Sequence, residues 1–79
     1  MTRFDELLKK SRDYLIIRLQ RLAAQDIRDL RAAELNAITG QAELLQANGL
    51  FTVCEADALI VHAREVFDGR AQPSADANW

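Results

Sequence analysis

Cys54 and His62 are the one thiol and the one imidazole of the chain, so nucleophilic or metal chemistry would have to begin with them. Cys54 falls at the second position of a helix whose start is signalled by Thr52, where helix-terminal amides can lower a thiol pKa. A thiolate nucleophile also needs a base within reach. His62 stands eight residues further along the same helix, more than two turns away. The spacing therefore predicts Cys54 as a small apolar core residue near a cap, and His62 as an exposed side chain on the polar side with Asp57 and Glu65. One Cys and one His fall short of a zinc site, and the chain has no Gly-rich phosphate loop and no nucleophile elbow. The carboxylates form no isolated pair inside an apolar surface. Glu34, at the edge of an apolar stripe, is the candidate for partial burial, either paired with an arginine across an interface or lying on its rim. No catalytic, cofactor-binding or metal-binding residue is expected, and no enzymatic activity.

Charge is distributed unevenly. Residues 1–31 stand at +3 and residues 32–79 at −5, which gives the −2 of the whole chain. Arg18, Arg21, Gln25 and Arg28 are read as one helical face opposite a leucine seam. Such a face is either solvated or suited to an acidic protein surface, including the acidic half of a second copy. Nucleic acid is a poor fit, because the positive charge is modest, no aromatic interleaves it and the whole chain is acidic.

The elements that must position these residues are helical. Phe4, Leu7, Leu8, Leu15, Leu19, Leu22 and Ala23 form an apolar stripe, with Leu8, Leu15 and Leu22 at heptad spacing. This predicts a first helix over 4–24, capped by Thr2. Ile27, Leu30, Ala33, Ala37, Ile38, Leu44 and Leu45 form a second stripe and predict a helix over 27–48. Asp26 lies near the centre of the combined stripe, where a buried carboxylate would be costly, so it is expected as an N-cap after a break at residues 24–26. A single helix from 4 to 48 is the alternative, since the junction has neither Gly nor Pro. Gly40, in a stretch of small residues with Ala33, Ala37 and Ala42, is read as permitting another helix to approach closely, with a local kink at Thr39-Gly40 as the alternative.

A sharp corner follows. Gly49 can close the second helix in the left-handed conformation, and Thr52 with Glu55 has the spacing of a capping box. The third helix is expected over 53–67, with Val53, Ala56, Ile60, Ala63 and Phe67 inward, Leu59 and Val66 alongside them, and Gly69 at its end. The fold class is all-α, one helical domain over 1–69 and a disordered, flexible tail over 70–79 in which Trp79 is loose.

A domain of 79 residues that is 49% hydrophobic has more apolar face than one small core absorbs, and the lone Cys54 cannot staple it internally. No secretory signal or membrane span is visible, and an unpaired Cys suits a reducing compartment, so the chain is read as cytoplasmic.

The run from Asp29 to Leu45, with its glutamate-bearing helix passing through Gly40-Gln41 into Leu44-Leu45, resembles a stretch found in short helical accessory and structural proteins of tailed phages and prophages. The resemblance covers about a fifth of the chain, and the capped third helix after Gly49 lies outside its pattern. It implies a bacterial or phage setting and no particular task.

The expected function is a non-enzymatic protein-interaction module that self-associates and acts as adaptor, assembly component or inhibitor of another protein. Leu8, Leu15, Arg18, Leu19, Arg21, Leu22, Arg28, Glu34 and Gly40 are its candidate contact residues. The alternative is a small transcriptional or nucleic-acid-associated regulator. Against it, the third helix carries Glu55, Asp57 and Glu65, with Asp68 just beyond, against Arg64 alone.

Overall fold

The apolar periodicities become three helices in the computed structural model, which describes residues 3–73: α1 over Arg3–Ala24, α2 over Arg28–Ala47 and α3 over Val53–Phe67. Thr2, expected as the first cap, lies outside the described residues, as do Trp79 and most of the predicted tail. Asp5 and Glu6 occupy the first turn of α1, where the positive end of the helix dipole favours carboxylates.

The chain breaks between α1 and α2, so the continuous 4–48 helix does not form. Gln25 N–H still reaches the Arg21 carbonyl at 3.0 Å, and the Ile27 carbonyl already accepts from Arg31 at 2.9 Å. The reversal is thus confined to a few residues. Asp26 is not the N-cap. Ile27 holds that place in extended conformation (φ −83°, ψ 118°), with no side-chain cap, and its N–H meets Gln25 Oε1 at 3.3 Å. Once Ile27 makes the turn, Asp26 stands one position too early for its carboxylate to meet the first helical amides.

The second corner matches its sequence signals closely. Gly49 takes φ 76°, its N–H bonds the Gln46 carbonyl at 3.0 Å, and Leu50 N–H bonds the Leu45 carbonyl at 2.9 Å. This is a Schellman closure, and it needs the left-handed backbone that glycine adopts without a Cβ penalty. Thr52 Oγ1 accepts from Glu55 N–H at 3.1 Å, while Thr52 N–H donates to Glu55 Oε1 at 3.0 Å, completing a capping box.

The core gathers Leu15, Leu19 and Leu22 of α1, Ile38, Ala42 and Leu45 of α2, Phe51 of the corner, and Ala56, Leu59, Ala63 and Val66 of α3. Three details depart from the stripes. On α2 the buried line is Ile38, Ala42 and Leu45, whereas Ile27, Leu30 and Leu44 stay about half exposed and Ala33 is exposed. On α1, Phe4, Leu7 and Ala23 are likewise exposed. On α3, Leu59 and Val66 hold the centre, while Val53 faces solvent. Each helix carries apolar residues over a wider arc than its two neighbours can cover. Beyond α3, Ala71 packs against the core.

None of the described helices is long and apolar enough to cross a membrane.

Candidate protein-interaction surface

Three arginines join the helices, and together they orient the faces of α1 and α2. Arg12 reaches from α1 to the Glu55 carboxylate, and its guanidinium lies 4.9 Å from the centre of the Phe51 ring. The capping-box glutamate therefore also ties the corner to α1. The backbone hydrogen bond at Thr52 is the main cause that holds the Glu55 carboxyl below its usual 4.5; desolvation opposes it, and the Thr52 hydroxyl and Arg12 add to the lowering. Arg31 extends from α2 to the C-terminus of α3, donating to the Phe67 carbonyl at 2.6 Å and lying 5.3 Å from the centre of the Phe67 ring. There it meets carbonyls that the helix leaves unpaired and the negative end of its dipole. Arg18 crosses between α1 and α2, with Nη1 3.3 Å from Glu34 Oε2.

The sequence candidates separate accordingly. Leu15, Leu19 and Leu22 are fully buried in the chain's own bundle and have no surface left for a partner in this fold. Leu8 is partly buried against the same core. Glu34 pairs within the chain, with Arg18, rather than across an interface. Arg18 also lies 5.7 Å from the centre of the Tyr14 ring, on the flank of the leucine seam rather than opposite it. Arg28 begins α2 and Gln25 lies between the helices, so the four residues read as one basic helical face do not share a helix. Arg21 and Arg28 are exposed. Gly40 is exposed too, and a Cβ placed on it would meet nothing within 4 Å. No described helix uses its smallness.

Cys54 is exposed, contrary to the core position expected of it, because it shares the outer face of α3 with Asp57 and Val61. His62 is half-buried rather than exposed, lying one turn from both Leu59 and Val66 on the edge of the inward face. The two do not meet, being more than two turns apart along α3.

The contiguous apolar surface missed by the stripe assignments lies on the outer side of the α1–α2 layer. The Arg18–Glu34 pair marks where α1 and α2 face each other, while Arg12 and Arg31 mark their sides toward α3. One step round α1 from Arg18, away from α3, come Leu7 and Tyr14, 50% and 47% exposed. One step round α2 from Glu34 come Leu30 and Leu44, 48% and 55% exposed, with half-buried Ala37 midway between them. Each row has seven-residue spacing, the seam pattern of a helical bundle. The same spacing is present in the sequence, directly beside the inward stripe of each helix.

A shallow cleft of about 290 Å³ between α2 and α3 is lined by Leu35, Thr39, Arg64, Phe67 and neighbouring polar residues. A second, of about 260 Å³, lies at Asp26, Arg28, Arg31 and Phe67. In the first, Asn36 and Asp68 are also part of the lining, and the Thr39 hydroxyl donates to the Leu35 carbonyl at 3.0 Å. In comparisons with protein-family models, curated proteins and solved structures, no match to this chain was found.

Proposed function

We propose that this chain is a non-enzymatic protein-interaction module that self-associates and acts as an adaptor, assembly component or inhibitor of another protein. The observation that carries the reading is the outer α1–α2 face, where Leu7, Tyr14, Leu30 and Leu44 form two adjacent half-exposed rows. Apolar residues scattered singly over a surface call for no explanation, but rows at bundle spacing on neighbouring helices do. The reading places the protein in the cytoplasm, in keeping with the unpaired Cys54. The resemblance of residues 29–45 to short helical phage and prophage proteins is its one indication of a bacterial or phage setting.

Sedimentation equilibrium at micromolar concentration tests self-association, and a dimer or higher species is expected. A cooperative 8.9 kDa monomer would overturn it. Pull-down from native lysate with the outer-face variant Leu44→Glu as control tests the partner-binding part, since a specific partner is lost with that variant.

A further inference from the structure

We infer that the outer α1–α2 face binds a second copy of the chain about a two-fold axis parallel to the helices, so that α1 of each copy packs against α2 of the other. The inference rests on the self-association proposed above and assigns its surface and geometry.

The charges flanking the apolar rows select this arrangement. Beyond Leu7 and Tyr14, the outer edge of α1 carries Arg3 and Lys10, with Arg21 one heptad after Tyr14. Beyond Leu30 and Leu44, the outer edge of α2 carries Asp29, Asn36 and Glu43, also at seven-residue spacing. On α1 the basic residues lie next to the apolar row, with Glu6 and Asp13 further out, whereas the edge of α2 carries Asp29 and Glu43 and no cation. None of Lys10, Arg21, Asp29 or Glu43 forms an ion pair with another described residue. A two-fold axis running along the helices sets each basic rim against the acidic rim of the other copy. An axis across the helices would instead set basic against basic, which is repulsive.

The heights agree as well. Arg18 lies level with Glu34 in the antiparallel α1–α2 pair. Counting equal numbers of residues along each helix from that level puts Lys10 level with residue 42 and Arg21 level with residue 31. The chosen axis preserves height, so Lys10 meets Glu43, and Arg21 meets Asp29, of the second copy. Symmetry makes each pair twice.

Gly40 supplies an independent argument. It sits in the middle of α2, where glycine is a poorer helix former than alanine, and no described residue packs within 4 Å of where its Cβ would be. Ala33, Gly40 and Ala47 form a small-residue row, again at heptad spacing, between the apolar row and the acidic rim. A helix of the second copy laid on this face would lie over that row. Two helices, each about 30 Å long and about 10 Å apart, offer roughly the 800 Å² per partner of a standard interface.

The test is sedimentation equilibrium of the full chain at micromolar concentration, with circular dichroism to confirm retained helix. Every substituted residue is exposed, so the fold should survive. Wild type is expected to be a dimer. Lys10→Glu and Glu43→Lys should each weaken it about tenfold, through two lost rim pairs and new like-charge contacts. The double variant keeps the wild-type net charge and should restore dimerisation. Leu44→Glu should weaken it about a hundredfold by burying a carboxylate. A dimer indifferent to Leu44→Glu, or a double variant no better than the singles, overturns this face and axis while self-association stands. A wild-type monomer overturns both.

Discussion

Glu55 is the residue on which the most structure converges. Its carboxylate closes the capping box at Thr52 and anchors Arg12 of α1, which also packs on Phe51. Its folded-state pKa lies below the usual 4.5, so its contribution is complete above that value and is lost as pH falls through the lowered one. The side chain is partly solvated, and the contribution is accordingly modest. Acid titration of stability should show the wild type losing ground below about pH 4.5. Glu55→Gln, which can still reach back to the Thr52 amide, should flatten part of that slope. Thr52→Ala removes the other half of the box and should cost about 1 kcal/mol in chemical denaturation. Gly49→Ala should also destabilise, because the backbone at φ 76° penalises a Cβ even though the space around it is open. If the denaturation midpoint moves for neither Thr52→Ala nor Gly49→Ala, the corner does not depend on the caps assigned here.

At the scale of the element, α2 is the helix with two apolar faces. Ile38, Ala42 and Leu45 point into the core, and Leu30 and Leu44 point away from it. Arg31 joins the inward side of α2 to the end of α3 through the Phe67 carbonyl. Arg31→Ala should therefore destabilise by about 1–2 kcal/mol, as expected for a charge-assisted bond at a helix C-terminus. Arg31→Lys should recover only part of this, since an ammonium lacks the planar fork that meets the carbonyls while lying beside the Phe67 ring. Gly40→Ala offers the opposite sign. With nothing within 4 Å of the new methyl, the isolated chain should gain up to about 1 kcal/mol of helix propensity. Urea titration at low protein concentration, where the chain is monomeric, measures both.

For the whole molecule, the division into a basic N-terminal part and an acidic remainder bears on what it can bind. Arg18 is engaged by Glu34, Arg12 by Glu55, and Arg31 by the end of α3. The basic charge counted in the sequence is therefore partly used inside the fold. The acidic α3 bears Glu55, Asp57 and Glu65. Duplex DNA is accordingly expected not to bind at submicromolar concentration near physiological salt, where nonspecific contacts are already weak. A gel shift with genomic fragments checks this, and tight binding there would favour the regulator reading instead.

Helix number and order, and the caps of the second corner, were legible in the sequence because they depend on local physics. Heptad leucines at 8, 15 and 22, Gly49 before the Thr52–Glu55 spacing, and Gly69 act through backbone geometry within a few residues. The break after Ala24 was legible only as a problem, a carboxylate in the middle of a stripe. Its solution, with Ile27 rather than Asp26 at the cap, came from how α2 packs back on α1. The tertiary structure alone decided which apolar face of each helix turns inward. Leu30 and Ile38 are equally good helix-face residues, and only the placement of α3 buries the second and leaves the first half exposed. The same holds for charge: Arg18 and Glu34 become partners because α1 and α2 run antiparallel side by side, a relation between residues sixteen apart that periodicity within either helix does not contain.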